Sequence, residues 1–186
     1  MLRRADAGDA SALVALVQSA YRGDSSRAGW TTEADLLGGQ RIDADMMDAA
    51  LRDPDSTVIV FEDDDRLVGC CEVRRGSDGS ASFGMFAVEP LRQAAGLGRE
   101  LLACAERVAS EELGARRMTM SVIEQRVELI DWYRRRGFEL TGERREFPYG
   151  DERFGEPRRD DLCFVVLAKD LPVRWPPAGV LTSRRQ

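Results

Sequence analysis

Phe83-Gly84-Met85-Phe86-Ala87-Val88-Glu89-Pro90, followed after two residues by Gln93-Ala94-Ala95-Gly96-Leu97-Gly98-Arg99, is the stretch around which the chain is organised. The first run is apolar, strand-like and closed by a proline; the second sets two glycines where a helical pattern opens. Glycines at a strand-to-helix junction let backbone approach a ligand closely, and the unpaired amides of the first helical turn then face it. Such a junction favours an anion, most often a phosphate.

Outward from this point the pattern is that of a mixed α/β domain. Toward the N-terminus three short strands, Thr57 to Phe61, Leu67 to Arg74 and Ala81 to Val88, are separated by turn-rich Asp63-Asp64-Asp65 and Gly76-Ser77-Asp78-Gly79, which predicts an antiparallel meander. Before them lie a strand at Leu2 to Ala5, a helix capped by Asp9 and a second helix from Ala44 to Arg52, stopped by Asp53-Pro54. The first helix carries Leu13, Leu16, Val17, Ala20 and Tyr21 on one face and ends near Gly23. Between the two helices, Asp24 to Ile42 is polar and glycine-rich yet holds Trp30. It reads either as a loop over a pocket or as a surface loop pinned by a buried indole.

Toward the C-terminus, Leu97, Leu101, Cys104, Ala105 and Val108 keep to one helical face, with Gly114 as the C-cap. A strand from Arg117 to Val122, a helix from Arg126 to Arg136 and a strand from Gly137 to about Phe147 follow. The charged loop Pro148 to Asp161 leads into the buried strand Leu162 to Leu167. Residues 1–170 form a single domain on this reading, and 171–186 are an irregular proline-rich tail anchored by Trp175.

Composition narrows the function. A net charge of −6 argues against nucleic acid as a partner, because phosphate neutralisation needs a clustered basic face. The chain contains no histidine, which removes imidazole bases and histidine-bound metals, and no metal is expected. Cys70, Cys71, Cys104 and Cys163 lie in apolar runs without C-x-x-C spacing and read as reduced thiols. No apolar run approaches about 18 residues and no leader pattern is evident, so no membrane partner is expected and a cytoplasmic location is the default.

Three elements together carry a resemblance to a known family. Phe83 to Pro90 looks like the fourth strand of the GNAT superfamily, the Gcn5-related N-acetyltransferases. Gln93-x-x-Gly96-x-Gly98 is similar to that family's pyrophosphate motif, and Trp132-Tyr133-x-x-x-Gly137-Phe138 resembles its later Tyr-x-x-x-Gly-Phe element. The resemblance implies an α/β fold of the α+β type, with a mixed, mostly antiparallel sheet of about seven strands flanked by about four helices. It implies acetyl-CoA as co-substrate and a small-molecule or peptide amine as acceptor. Acetyl transfer would be direct, through a tetrahedral intermediate.

Residue by residue, the resemblance implies that backbone near Phe86, Ala87 and Val88 receives the pantetheine as an added strand, an amide near Phe86 polarising the thioester carbonyl. Gln93, Ala94, Ala95, Gly96, Leu97, Gly98 and Arg99 would cradle the pyrophosphate, with charge from Arg92 and Arg134 to Arg136 open as a supplement. Tyr133 would protonate or hydrogen-bond the departing thiolate, its alternative being a core tyrosine. A phenol of pKa about 10 facing a thiolate of about 8.5 makes that transfer uphill by roughly 2 kcal/mol, so hydrogen bonding or tuning is required. Where many family members have an asparagine seven residues before this tyrosine, the chain has Arg126, which exchanges a neutral pantetheine contact for a cation.

A general base is not evident. Glu72 would face the cleft in one alternation of its strand, and would pair with Arg74 or Arg117 in the other. Glu33 is a second candidate. The family's acceptor loops correspond here to Gly29 to Arg41 and Pro148 to Asp161, which makes Trp30 and Glu33 substrate candidates, and acidic Glu33, Asp160 and Asp161 would suit a cationic amine. A non-catalytic acyl-CoA-binding or sensing module is the alternative from another functional class. The sequence names neither the acceptor nor the acyl-chain length; a homodimer, through an exposed strand or the tail, is left open.

Overall fold

The computed structural model describes residues 1–172; the predicted tail and its Trp175 anchor lie outside the described residues, apart from Leu171 and Pro172. Seven strands form one twisted sheet in the order β1-β3-β4-β5-β6-β9-β7. They are β1 (Leu2–Arg4), β3 (Ser56–Asp63), β4 (Arg66–Arg75), β5 (Ser80–Val88), β6 (Arg117–Ile123), β7 (Glu139–Glu146) and β9 (Cys163–Asp170). Two further short strands, β2 (Leu37–Gly38) and β8 (Glu156–Pro157), pair with each other away from that sheet. Five α-helices complete the described residues: α1 (Ala10–Tyr21), α2 (Gly23–Ser26), α3 (Ala44–Arg52), α4 (Leu97–Arg107) and α5 (Val127–Arg134).

Strand alternation divides the core into two layers. Val58, Val60 and Cys70 face α1 and α3, against Leu13, Val17 and Met47. Ile59, Cys71 and Val73 face the opposite way, against Leu101, Ala105 and Phe138. The expected apolar face of α1 is buried at Leu13, Leu16, Val17 and Ala20. Helix α3 begins and ends where its residues predict, with the Asp43 carboxylate accepting the Met46 amide at 2.8 Å. Asp9 does not cap α1 through its side chain. Its carboxylate instead pairs with Arg3, at 2.7 and 2.9 Å, and accepts the Asp6 amide, while Asp6 caps the single 3₁₀ turn before the helix.

All neighbouring strands of the large sheet run antiparallel except β5 and β6. That parallel pair is registered only over Ser80–Ser82 against Arg117–Thr119. Beyond it the strands part, and the resulting cleft is lined by the far halves of β5 and β6, by α4 and α5, and by the end of α1 and the loop that follows it. The loop Asp24 to Ile42 is more ordered than its composition implies, because Leu37 pairs with Pro157, Gly38 pairs with Glu156, and the Arg158 amide donates to the Leu36 carbonyl at 2.9 Å. No helix among the described residues is long and apolar enough to cross a membrane.

Leu101 joins α4 to β4 with no exposed surface. Leu101→Ala is expected to lower stability by about 3 kcal/mol, read as a shift of the urea midpoint with unchanged slope.

Candidate active site

The cleft between β5 and β6 begins at a bulge. Cys70 pairs with Ala87 but Glu72 pairs with Gly84, so Met85 and Phe86 together oppose Cys71. Met85 adopts a left-handed φ of 46°, a conformation costly for a side chain of its size and held here by the packing of Met85 against the α1 layer. Past the bulge the Glu89 amide donates to Val68 at 2.9 Å, so Val88 one residue earlier turns its own N–H and C=O to the edge that β6 has left. The Val88 carbonyl accepts Gln93 Nε2 at 3.2 Å, and the Phe86 carbonyl accepts the Tyr21 hydroxyl at 2.7 Å.

At the end of this edge stands the glycine junction. Ala94 and Gly96 both have positive φ, 70° and 93°, which curls the backbone into a concave turn before α4. No side chain caps α4, and the Leu97 and Gly98 amides precede its first intrahelical bonds. A Cβ at Gly98 would stand 3.1 Å from Phe86 and 3.6 Å from Trp132, so glycine there allows the helix start to lie against the strand. Phe86, Val88, Gln93, Ala94, Gly96, Gly98 and Arg99 line one cavity of about 320 Å³ together with Trp30, Trp132 and Arg136. Arg136 stacks on Trp132 at 3.5 Å and donates to the Trp132 carbonyl at 2.7 Å.

Of the sequence candidates for this end, Ala87, Ala95 and Leu97 do not line the cavity. Ala87 is buried in the α1 layer, and Leu97 packs on the opposite core. The cavity nonetheless fits an extended, doubly charged phosphate ligand: a strand edge with an outward amide, a curled turn with free helical amides, and two arginines at its rim.

A second cavity, of about 100 Å³, continues past Phe86 between the parted strands. Tyr21, Phe86, Arg126 and Leu129 line both. Tyr133 lines the second, 3% exposed, its ring edge-on to Trp132 at 5.1 Å and near Phe83 at 6.3 Å. Burial, reinforced by the neighbouring Tyr21, pushes the Tyr133 phenol well above the usual range, so it stays protonated. Both readings of Tyr133 thus meet in one position: it is a core tyrosine and a cavity wall.

Glu33 is buried at the wall of this second cavity and is held from two sides. Arg22 donates to one carboxylate oxygen at 2.7 Å and Arg126 to the other at 2.6 Å; Arg126 also donates to Thr31 at 3.0 Å. Burial alone would raise its pKa, but the fields of Arg126, Arg41 and Arg22, with the Arg22 hydrogen bond, carry it below the usual carboxylate range. Such a group is a poor proton acceptor. Glu72 lies outside both cavities, accepting from Ser56 at 2.7 Å and Arg74 at 3.1 Å, the ion-pair alternative of its strand alternation. Asp161 pairs with Arg159, and neither it nor Asp160 lines the cavities. Trp30 is not a buried anchor: it is 44% exposed, lines the first cavity, and its amide donates to Gln93 Oε1 at 2.9 Å.

Arg22 and Arg41 carry no sequence signal that distinguishes them among the many arginines. Arg126 does, as the departure from the expected asparagine.

The sequence matches the acetyltransferase (GNAT) family over residues 15–138. No curated protein matches it. Among solved structures, nourseothricin acetyltransferase superposes with a TM-score of 0.65 at 22% identity, covering 92% of this chain and 98% of that one. The ribosomal-protein-S18-alanine N-acetyltransferase of Escherichia coli superposes with a TM-score of 0.67 at 14% identity, covering 94% and 95%. A protein named as a streptothricin acetyltransferase, from Bacillus anthracis str. Ames and solved with acetyl coenzyme A, gives a TM-score of 0.55 at 14% identity over 67% and 68% of the chains. At these identities the likeness establishes the fold.

Glu33→Gln would leave the buried Arg22 and Arg126 without their shared counter-charge. It is expected to destabilise the protein by about 3 kcal/mol at neutral pH. A depressed folded-state pKa stabilises above the unfolded value, so the deficit relative to the parent should shrink as pH falls below about 4.3, which urea titrations at neutral and acidic pH would read.

Proposed function

Because the chain belongs to the GNAT acetyltransferase family, we propose that it moves an acetyl group directly from acetyl-CoA to a primary amine, through a tetrahedral intermediate. The observation that carries this reading is the parting of β5 from β6, which sets a phosphate cradle at one end and Tyr133 in the cavity at the other. In this reading the first cavity holds the donor. The outward Val88 N–H pairs with the pantetheine, the Gly98 amide faces the pyrophosphate, and Arg99 and Arg136 add charge. Phe86, unpaired at the bulge, brings its amide to the acyl carbonyl.

The second cavity receives the acceptor. Tyr133 remains protonated and so can donate a hydrogen bond to the sulfur as the carbon–sulfur bond breaks; its raised pKa makes complete transfer of the proton still more uphill, so the thiolate leaves hydrogen-bonded and takes its proton from water. Proton removal from the amine is assigned to water at the cavity mouth, since Glu33 is doubly paired and Glu72 is turned away. The same shortage of a free carboxylate favours the alternative, a non-catalytic acyl-CoA-binding module.

Calorimetry with acetyl-CoA and a thiol-release assay across amines separate the two: binding with turnover supports transfer, binding without turnover supports sensing. Tyr133→Phe is expected to lower kcat by about tenfold or more with acetyl-CoA affinity within about a factor of two, and an unchanged kcat would remove the hydrogen-bonding role. The pH profile of kcat/KM should rise as the acceptor amine deprotonates. It should show no falling limb from Tyr133 below about pH 10, because burial has moved that phenol upward.

A further inference from the structure

The acceptor cavity is positively charged. Arg22, Arg41 and Arg126 line it, and Glu33 is the one carboxylate among the lining residues. Arg22 and Arg126 are 4% and 8% exposed, and the Nε of each is buried without a hydrogen-bond partner among the described residues. Glu33 can balance only one of the three guanidiniums around it. Arg41 lies over the Tyr21 ring at 5.1 Å, on the same ring that Arg126 approaches at 5.6 Å. Two guanidiniums thus border the Tyr21 ring at the wall of this cavity, whose lining side chains carry a net excess of positive charge. A cationic amine entering here would meet like charge at short range in a low-dielectric setting. An anion would complete the pairing.

We infer that the acceptor is an amine that also carries a carboxylate, a small amino acid, and that Arg41 and Arg126 hold that carboxylate while the amine faces Phe86. This deepens the transfer reading above and rests on it. Planar guanidinium forks match a carboxylate. The remaining wall, formed by residues such as Phe83, Met120, Val122 and Phe147, is apolar and the space is only about 100 Å³, which suits a compact aliphatic molecule. The position of the charges also assigns them to the acceptor. Arg22 and Arg41 line only the cavity beyond Phe86, whereas the donor cavity has its own cations in Arg99 and Arg136. The charge balance reverses the expectation that Glu33, Asp160 and Asp161 would draw in a cationic amine.

The test compares glycine and alanine with glycinamide and alaninamide, and with the dication putrescine, using acetyl-CoA and the full chain. The amide's amine gives up its proton more readily, so reactivity alone works against the proposal. KM for the amino acid is expected to lie at least about tenfold below that of its amide, with putrescine the poorest of the set. Arg41 is half-buried at the cavity wall, and Arg41→Gln should shrink the acid-over-amide preference to within about threefold while Arg41→Lys retains part of it. Amides or putrescine used as well as amino acids overturn the inference, as does a preference unchanged in Arg41→Gln. Succinyl-CoA used with glycinamide in preference to acetyl-CoA with glycine would place the carboxylate on the acyl group and overturn it too. No heat of acetyl-CoA binding would instead remove the transfer reading itself, and the inference with it.

Discussion

The parallel pairing of β5 with β6 stops after three registered residue pairs, and both cavities described above depend on that interruption. A sheet that stayed closed would bury the far halves of both strands against each other and leave no edge for a ligand. The bulge at Met85 prevents closure by putting one extra residue into β5, which increases local twist and turns the strand away from its neighbour. A left-handed Met85 is unfavourable by itself. It persists because the surrounding residues are fixed from both layers: Met85 packs toward α1, Phe86 toward α4 and α5, and the Tyr21 hydroxyl holds the Phe86 carbonyl between them. Local strain is thus maintained by long-range packing, as at many sites where geometry matters.

The opened strands create a second requirement, a wall for the far end of the cleft. It is built from loops, and loops need internal ties to hold a cavity shape. Here one tie is the β2–β8 pair, and the other is the buried Arg22–Glu33–Arg126 bridge, which joins the end of α1, the tryptophan loop and the start of α5. Taking three charges out of water is expensive, and the bridge is stable only as a unit because each carboxylate oxygen has its own guanidinium partner. Ser26, Thr32 and the Leu36 and Leu37 amides fix the same turn through hydrogen bonds of 2.6 to 2.8 Å. The wall of the second cavity is therefore tied at several points, and its charge is set by the number of arginines that one glutamate cannot neutralise.

How much of this was legible in the residues follows from the range of the interactions. The strands of the meander, α3 and the glycine junction were readable because apolar periodicity, the Asp53-Pro54 stop and Gly96 act within a few residues of themselves. Fold class followed from element order. What was not legible was which of several available partners a charged side chain takes. Asp9 suits an N-cap by type, yet Arg3 and the Asp6 amide claim its carboxylate. Glu72 had an ion pair with Arg74 among its readings, which the structure shows, together with Ser56, 16 residues away. Glu33 looks like an acidic loop residue until Arg126, 93 positions later, is placed beside it. A charge in a sequence has a sign but no environment, and the environment of Glu33 is three arginines.

The two cavities are not independent, because single side chains belong to both. Gln93 opens the glycine turn before α4, yet its amide group spans from the Val88 carbonyl to the Trp30 amide, so that turn also fixes where the tryptophan loop begins. Three residues farther along that loop, Glu33 receives Arg126, and Arg126 lines both cavities. Arg126 therefore acts at a junction: it lines both cavities, its charge is met by Glu33, and Glu33 in turn meets Arg22. A single arginine at the start of α5 thus couples the shape of the first cavity to the charge of the second, because the carboxylate that neutralises it is already shared with another guanidinium.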